Sequence, residues 1–364
     1  MLLERLVNLA DAGLTMQSGA GPMPAGRNGA YGDPETPVRN TSHWLTSFCV
    51  AHAVTGDAKF REAAERALRF LLACVAAVPG GIPVRQAPTK DRTNGVLGQA
   101  HLLESLFYAA VALQRDDAWQ AGIDLIKRHS WNESWNLWDR VTPSGKILSP
   151  DETFNHQLYF AATVALFAPG NEYASLQLDR FIAGTAYTFQ TRVDGRVVHS
   201  VRRPTSFVQR LRHAVREPKR EKAMMAKEAD YHLYNMYGYA LLAASGKDPA
   251  LDSRGDWHRA KAFAIGSVVK KRITPIHWTN GLSSGTETSA CDIAFFHQIF
   301  GDPAHADLDL AEEMLTFTGG PDGSFSLYSP DPVTQQARHY RYWRLIKTDS
   351  ELRERALSMR GAAT

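Results

Sequence analysis

Two short stretches gather residue types that move protons. Ser149-Pro150-Asp151-Glu152-Thr153-Phe154-Asn155-His156-Gln157-Leu158-Tyr159 sets an amide beside an imidazole, with the Tyr159 phenol one helical turn on. An Asn holds a substrate carboxylate by hydrogen bonds, and a neighbouring His serves as base. The second stretch, Asp230-Tyr231-His232-Leu233-Tyr234-Asn235-Met236-Tyr237-Gly238-Tyr239, packs four tyrosines, two of them followed by His or Asn, into ten residues. Tyr231, Tyr234 and Asn235 share a helix face by their spacing. A tyrosine acts as acid or base where cations lower its pKa, and Lys227, Arg220 and Lys222 lie just upstream.

Other stretches look like contributors to binding. Arg39-Asn40-Thr41-Ser42-His43-Trp44 brings Arg, Asn and His to the start of one apolar segment. Thr279-Asn280-Gly281-Leu282-Ser283-Ser284-Gly285-Thr286-Glu287-Thr288 does the same for a later one, with Glu287 as its carboxylate. Trp44 and Trp278 are candidates to stack on sugar rings, and Trp131, Trp135 and Trp138 follow a helical i, i+4, i+7 spacing. Arginines crowd residues 202–222, and Arg338, Arg341 and Arg344 form a second basic run. Such clusters focus an anionic ligand even in a chain whose net charge is only +3.

Positioning these groups requires elements that recur. Residues 41–75 read as two helices joined by Thr55-Gly56-Asp57, where Gly56 suits a helix end and Asp57 the next N-cap. Similar hairpins follow, with first helices starting near 43, 97, 154, 231 and 287. The first helices are rich in Ala, aromatics and His, and the second helices carry more charge, as inner and outer rings would. Each hairpin buries its apolar face only against neighbours, so a stack or closed ring is required. Repeats this long, with variable loops, favour a closed ring over a straight solenoid of shorter uniform repeats. The expected fold is all-α, an (α/α)5-6 toroid of helical hairpins with long loops and a small β-hairpin at Asp194-Gly195, spanning 1–364 as a single domain. The polar helix starts should converge on one cavity lined by Asn40, His43, Asn155, His156, Tyr231 and an arginine from 202–220.

Composition excludes several classes. Apolar content of 44% and charged content of 22% are those of a globular protein. Three scattered cysteines, Cys49, Cys74 and Cys291, make neither a disulfide framework nor a zinc site. No dinucleotide, Walker, nucleophile-elbow or zinc-protease motif is present, so no cofactor and no metal are expected. No apolar stretch approaches membrane-spanning length, and the first residues show no secretory pattern. The expectation is a cytoplasmic protein that binds neither membrane nor nucleic acid, with the oligomeric state left open.

The Asn-His pair followed by a Tyr-His start resembles the toroidal polysaccharide lyases of the alginate-lyase and heparinase-like families. The resemblance implies β-elimination on uronate-containing oligosaccharides, with Asn155 neutralising the carboxylate, His156 as base and Tyr231 as acid or acid/base. Those lyases place an Arg near the tyrosine, where this chain offers Lys227. Asp151-Glu152-Thr153-Phe154-Asn155 is also similar to the unsaturated glucuronyl hydrolases, which share the toroid of six-hairpin glycosidase-like enzymes. That likeness implies Asp151 as general acid/base, with Asp91 as the second carboxylate. Sugar epimerases use the same scaffold, and a non-catalytic toroid that binds a glycan or protein is the reading from another class. Under each catalytic reading the partner is an anionic oligosaccharide, and Arg39, Asn40, His43, Trp44, Asp91, Tyr159, Lys227, Tyr234, Asn235, Trp278 and Glu287 are its candidate binding residues.

Overall fold

The structure is a computed structural model that describes residues 2–28, 32–201, 218–247, 251, 253–266, 288–301, 308–319 and 331–361. Helix α1 (Leu2–Met16) precedes the pairs α2 (Val38–Thr55) with α3 (Ala58–Ala76), and α4 (Gly95–Ala112) with α5 (Asp116–Lys127). Then come α6 (Phe154–Phe167) with α7 (Glu172–Thr188), α8 (Pro218–Ala244) with α9 (Gly255–Ala264), and α10 (Ser289–Phe300) with α11 (Leu308–Gly319). The chain ends in α12 (Pro332–Arg338), a 3-10 segment (His339–Leu345) and α13 (Lys347–Gly361).

The first helix of each pair is buried almost all round, and the second on one stripe. Helix α4 buries every residue from Gly95 to Val111, whereas α3 buries Phe60, Ala63, Ala64, Ala67, Leu68, Leu71 and Val75 at helical spacing. That contrast separates inner from outer helices. Neighbouring inner helices pack in the order α2, α4, α6, α8, α10, and the 3-10 segment and α12 close the circle by packing on α10 and back on α2. Among the described residues the ring has six inner members, the sixth being short and partly 3-10. The basic run of Arg338, Arg341 and Arg344 spans the junction of α12 and the 3-10 segment, where the chain turns before α13.

Local signals read from sequence hold at the first hairpin. Gly56 ends α2 with φ 70°, and the Asp57 carboxylate accepts from the Lys59 amide at 3.0 Å to cap α3. The fourth inner helix departs from expectation. It starts at Pro218 rather than near 231, so Tyr231 lies midway along it.

The connections hold a three-stranded antiparallel sheet that the sequence reading did not anticipate: β3 (Trp131–Asn132), β4 (Leu137–Val141) and β5 (Ile147–Pro150). Helical spacing of Trp131, Trp135 and Trp138 is thus a coincidence. Trp131 lies opposite Trp138 across β3 and β4, their rings 5.0 Å apart and nearly perpendicular. Trp138 is fully buried against Phe160 and Phe181, so this stripe serves packing. A smaller pair, β1 (Arg27–Asn28) and β2 (Asp33–Pro34), lies in the loop before α2. The Asp194-Gly195 turn forms, but its flanks make only the bridge Thr191–Val197 rather than named strands. Cys49 and Cys291 are buried, Cys74 is partly so, and all three are free thiols. No helix among the described residues is long and apolar enough to cross a membrane.

Helix α13 packs against α2, α4 and the 3-10 segment through a buried charge cluster. Arg344 bridges Glu104 on α4 and Asp349 on α13, and Asp349 also receives Tyr108 at 2.6 Å and Arg353 at 2.9 Å. Two cations face two carboxylates, so each charge is matched in a region without solvent. Replacing Arg344 by Met leaves Glu104 without a cation and Asp349 with Arg353 alone, and should lower the unfolding free energy by about 3–5 kcal/mol. Urea unfolding read by far-ultraviolet circular dichroism measures it, and an unchanged midpoint would contradict this role.

Candidate active site

The starts of α2, α4 and α6, the middle of α8 and the closing segment surround a cavity of about 300 Å³. Arg39 and His43 on α2, and Asn94, Leu97 and His101 at or near the start of α4, form one side. Thr153, Asn155 and His156 at the start of α6, with Lys227, Tyr231 and Tyr234 on α8, form the other. Arg338 and Arg341 come from the closing segment, Arg85 and Lys90 from the loop before α4, and His199 from the loop after α7. Among the lining residues described, six are cations and the carboxylate is that of Asp33, which pairs with Lys90 at 2.6 Å. Helix N-termini add partial positive charge to the same space. The field suits an anion.

The best-defined chemical group is a dyad. His156 Nδ1 lies 2.8 Å from Asp151 Oδ2. The Asp151 carboxylate also accepts from the amides of Val96 at 3.2 Å and Thr153 at 3.1 Å. Burial pushes the Asp151 carboxyl up, but the charge and hydrogen bond of His156 and these two amides outweigh it and hold it below the usual carboxylate range. An ionised Asp151 orients the ring so that Nδ1 donates to it and Nε2 is left as the basic nitrogen. Asp151 is therefore more than a helix cap. Gly95 makes the dyad fit: its φ is 61°, and a Cβ there would fall inside the Asp151 carboxylate and press on His156.

Beside His156, Asn155 is buried and neither its Oδ1 nor its Nδ2 has a hydrogen-bond partner among the described residues. Across the cavity the Lys227 ammonium stands 5.7 Å from the centre of the Tyr231 ring, and His199 stacks obliquely on that ring at 4.9 Å. His199 is carried there by pairing of its loop with the start of α6, where Phe154 N donates to His199 O at 2.8 Å and Val201 N to Glu152 O at 2.7 Å. Burial, then Lys227 and His156, push its imidazole down to about 3, so it is neutral.

Beneath this level lies a polar floor. His43 stacks on Tyr340 at 4.4 Å and meets His101 edge-on at 4.6 Å. The Tyr340 hydroxyl contacts that of Tyr159 at 2.6 Å, and Tyr159 donates to Glu104 at 2.6 Å. Arg341 pairs with Asp292 at 3.0 Å and lies under the rings of Tyr234 and Tyr237.

The structure brings together His43, Arg39, Asn155, His156, Lys227, Tyr231 and Tyr234, all singled out from sequence. It separates others. Trp44 packs in the core against Phe48 and over Gly13, where no side chain beyond hydrogen would fit. Asn40 binds the Pro24 carbonyl at 3.0 Å instead of lining the cavity. Tyr159 sits under the floor, occupied by Glu104 and Tyr340. Asn235 turns back to the Tyr231 carbonyl at 3.0 Å. Asp91 folds onto Thr93 and the Gly95 amide, shaping the loop before α4. Trp278, Glu287 and Arg202–Arg216 lie outside the described residues. His101, His199, Asn94 and Arg85 were missed. His101 had a usable signal, a polar residue one turn inside an otherwise apolar inner helix, but nothing local to His199 marks it.

The comparisons fit this architecture. A cellobiose 2-epimerase from Bacillus thermoamylovorans B4167 superposes with a TM-score of 0.63 at 12% identity, over 94% of this chain and 98% of that one. The unsaturated glucuronyl hydrolase of Bacillus sp. GL1 gives 0.62 at 12%, over 95% and 96%, and a D-mannose isomerase 0.61 at 12%, over 94% and 97%. The chain thus has the (α/α)-toroid fold of six-hairpin glycosidase-like proteins. No family model matches it. In sequence it is 39% identical over 260 residues to archaeal glycosylation protein Q of Haloferax volcanii, covering 66% of this chain and 70% of that protein. The chain belongs to the family of archaeal glycosylation protein Q.

Three buried histidines set a pH dependence. Burial pushes His129 and His232 down to about 4 and His199 to about 3. The unfolded chain, titrating near pH 6.5, therefore binds more protons than the folded one below that value. Stability is fully present above about pH 6.5 and falls as pH drops toward 4, by up to about 1.4 kcal/mol per pH unit for each histidine. Urea unfolding at pH 7 and pH 5 should show a lower midpoint at pH 5, with a shallower decline in His232→Gln. Equal midpoints would contradict it.

Proposed function

We propose that the protein is an enzyme acting on a uronate-containing saccharide. It removes the proton from the carbon beside the carboxylate and returns one, inverting that carbon. The observation carrying this reading is Asn155, buried and unbonded at both amide atoms, next to the Asp151-held His156 in a cation-rich cavity. Asn155 and Lys227 take the carboxylate. His156 Nε2 accepts the carbon-bound proton, the C–H electron pair moves into the carboxylate, and the amide donor stabilises the enolate charge as it forms. Tyr231, on the neighbouring inner helix, supplies a proton to the carbon and is reprotonated from solvent. The relative's name, a glycosylation protein, supports a step that alters a sugar and keeps the glycan whole.

A second reading, β-elimination, rests on Tyr231 beside Lys227. The same carbanion forms, but the phenol protonates the leaving oxygen at the next carbon. Hydrolysis is supported less well: it needs a carboxylic acid that holds a proton, whereas Asp151 is held ionised by His156 and two amides.

Proton NMR in deuterium oxide on glucuronate-terminated oligosaccharides is the test. Deuterium should enter at the carbon beside the carboxylate with a change of configuration. A new unsaturated-uronate absorbance would replace inversion with elimination, and release of free sugar without either would end both readings. Asn155→Ala should lower kcat by ~10²–10³ and Tyr231→Phe by ~10²–10⁴. Asp151→Asn should lower it by up to ~10⁴, because the amide favours the wrong tautomer of His156. Full activity in all three variants would move the chemistry away from these residues, and no turnover by the unaltered protein would leave the non-catalytic toroid.

A further inference from the structure

The cavity floor is built as a second polar site that the proton transfer does not use. His43 and His101 lie one turn deeper than Arg39 and Leu97 on their helices, and Arg341 one turn beyond Arg338 on the closing segment. All three deep side chains are at least nine-tenths buried, at 2%, 3% and 5% exposure. His101 Nδ1 and Arg341 Nε have no hydrogen-bond partner among the described residues, although Arg341 Nη1 is tied to Asp292 and Thr288. A buried polar atom without a partner is costly, so these two atoms are places for a ligand group to bind.

The rigidity of the floor supports the same conclusion. Tyr340 is stacked under His43 and held by the Tyr159 hydroxyl and, through it, Glu104. Arg39 is fixed by Glu35 at 2.6 Å. Burial, with the nearby cations Arg39, Arg338 and Arg341, keeps both imidazoles neutral, and the phenols of Tyr340 and Tyr159 are their other titratable neighbours. An oxyanion set among them would be met by guanidinium groups and by imidazoles that gain a donor on its arrival.

We infer that the floor formed by His43, His101, Arg39 and Arg341 receives a second oxyanion of the substrate besides the carboxylate held at the upper site. The inference rests on the uronate reading above for the upper site, where Asn155 and Lys227 take the carboxylate. The shared chemistry is a tetrahedral or planar oxyanion on the same saccharide, from a glycosyl phosphate or from an adjoining uronate.

Isothermal titration calorimetry on the full chain, with glucuronate, glucuronic acid 1-phosphate and digalacturonate as probes, tests it. Glucuronic acid 1-phosphate should bind about tenfold or more tighter than glucuronate, the size of one added charge-assisted contact. His101→Asn and Arg341→Lys should each bring that ratio close to one, with His101→Gln as a second variant if the first fails to fold. Digalacturonate showing the gain instead would keep the second oxyanion and assign it to a carboxylate. Equal affinity for all three probes, or a gain untouched by the floor variants, would overturn the inference. Preference for the phosphate without deuterium exchange would remove the proposed reaction alone, and exchange without preference would remove this inference alone.

Discussion

One carboxylate ties two helix starts of the ring to the imidazole at its cavity. Asp151 accepts from the amide of Val96 at the start of α4, from Thr153 at the start of α6, and from the His156 ring. The two helix starts are thereby pinned to each other and to the imidazole by a single buried anion. Such an anion is tolerated because its lone pairs are filled by donors at two helix N-termini, where the backbone is short of acceptors. The left-handed backbone at Asn94 and Gly95 is the local strain that allows this approach, since only glycine leaves room for the carboxylate. Displacing this oxygen would move the His156 imidazole and loosen the contact between α4 and α6 together.

Around that point the molecule divides its polar groups by depth. Cations and tyrosines ring the upper cavity, the edge-on imidazoles of His43 and His101 form its base, and a matched charge cluster lies below. Each layer is joined to the next by short hydrogen bonds, from Tyr340 through Tyr159 to Glu104 and on to Arg344. The inner helices can be apolar along most of their length because their polar residues are confined to these layers.

Much of this arrangement could be read from the chain. The hairpin period, the Gly56-Asp57 turn and the inner-outer contrast gave the ring, because burial on all sides and burial on one stripe leave different residue patterns. Asn155, His156, Tyr231 and Lys227 were legible because polar groups at the start of an apolar helix have few structural reasons to be there. The tryptophans misled, since two strands joined by a short turn bring Trp131 and Trp138 together while their spacing imitates a helix. Trp44 and Asn40 misled for another reason: on a helix buried all round, side chains one position apart point to the core and to the cavity, and the sequence does not mark which is which. His199 was invisible because its place depends on pairing between segments more than forty residues apart, Thr153 with Ser200.

The far end of the ring has its own consequence. Tyr108, Glu104, Arg344 and Asp349 fill the axis below the floor with side chains that are almost wholly inaccessible, and α13 lies beneath them. Among the described residues the cavity is thus a cul-de-sac and not a bore through the molecule. A ligand that occupies it enters and leaves by the same mouth, so the end of a chain, and not its interior, would reach deepest.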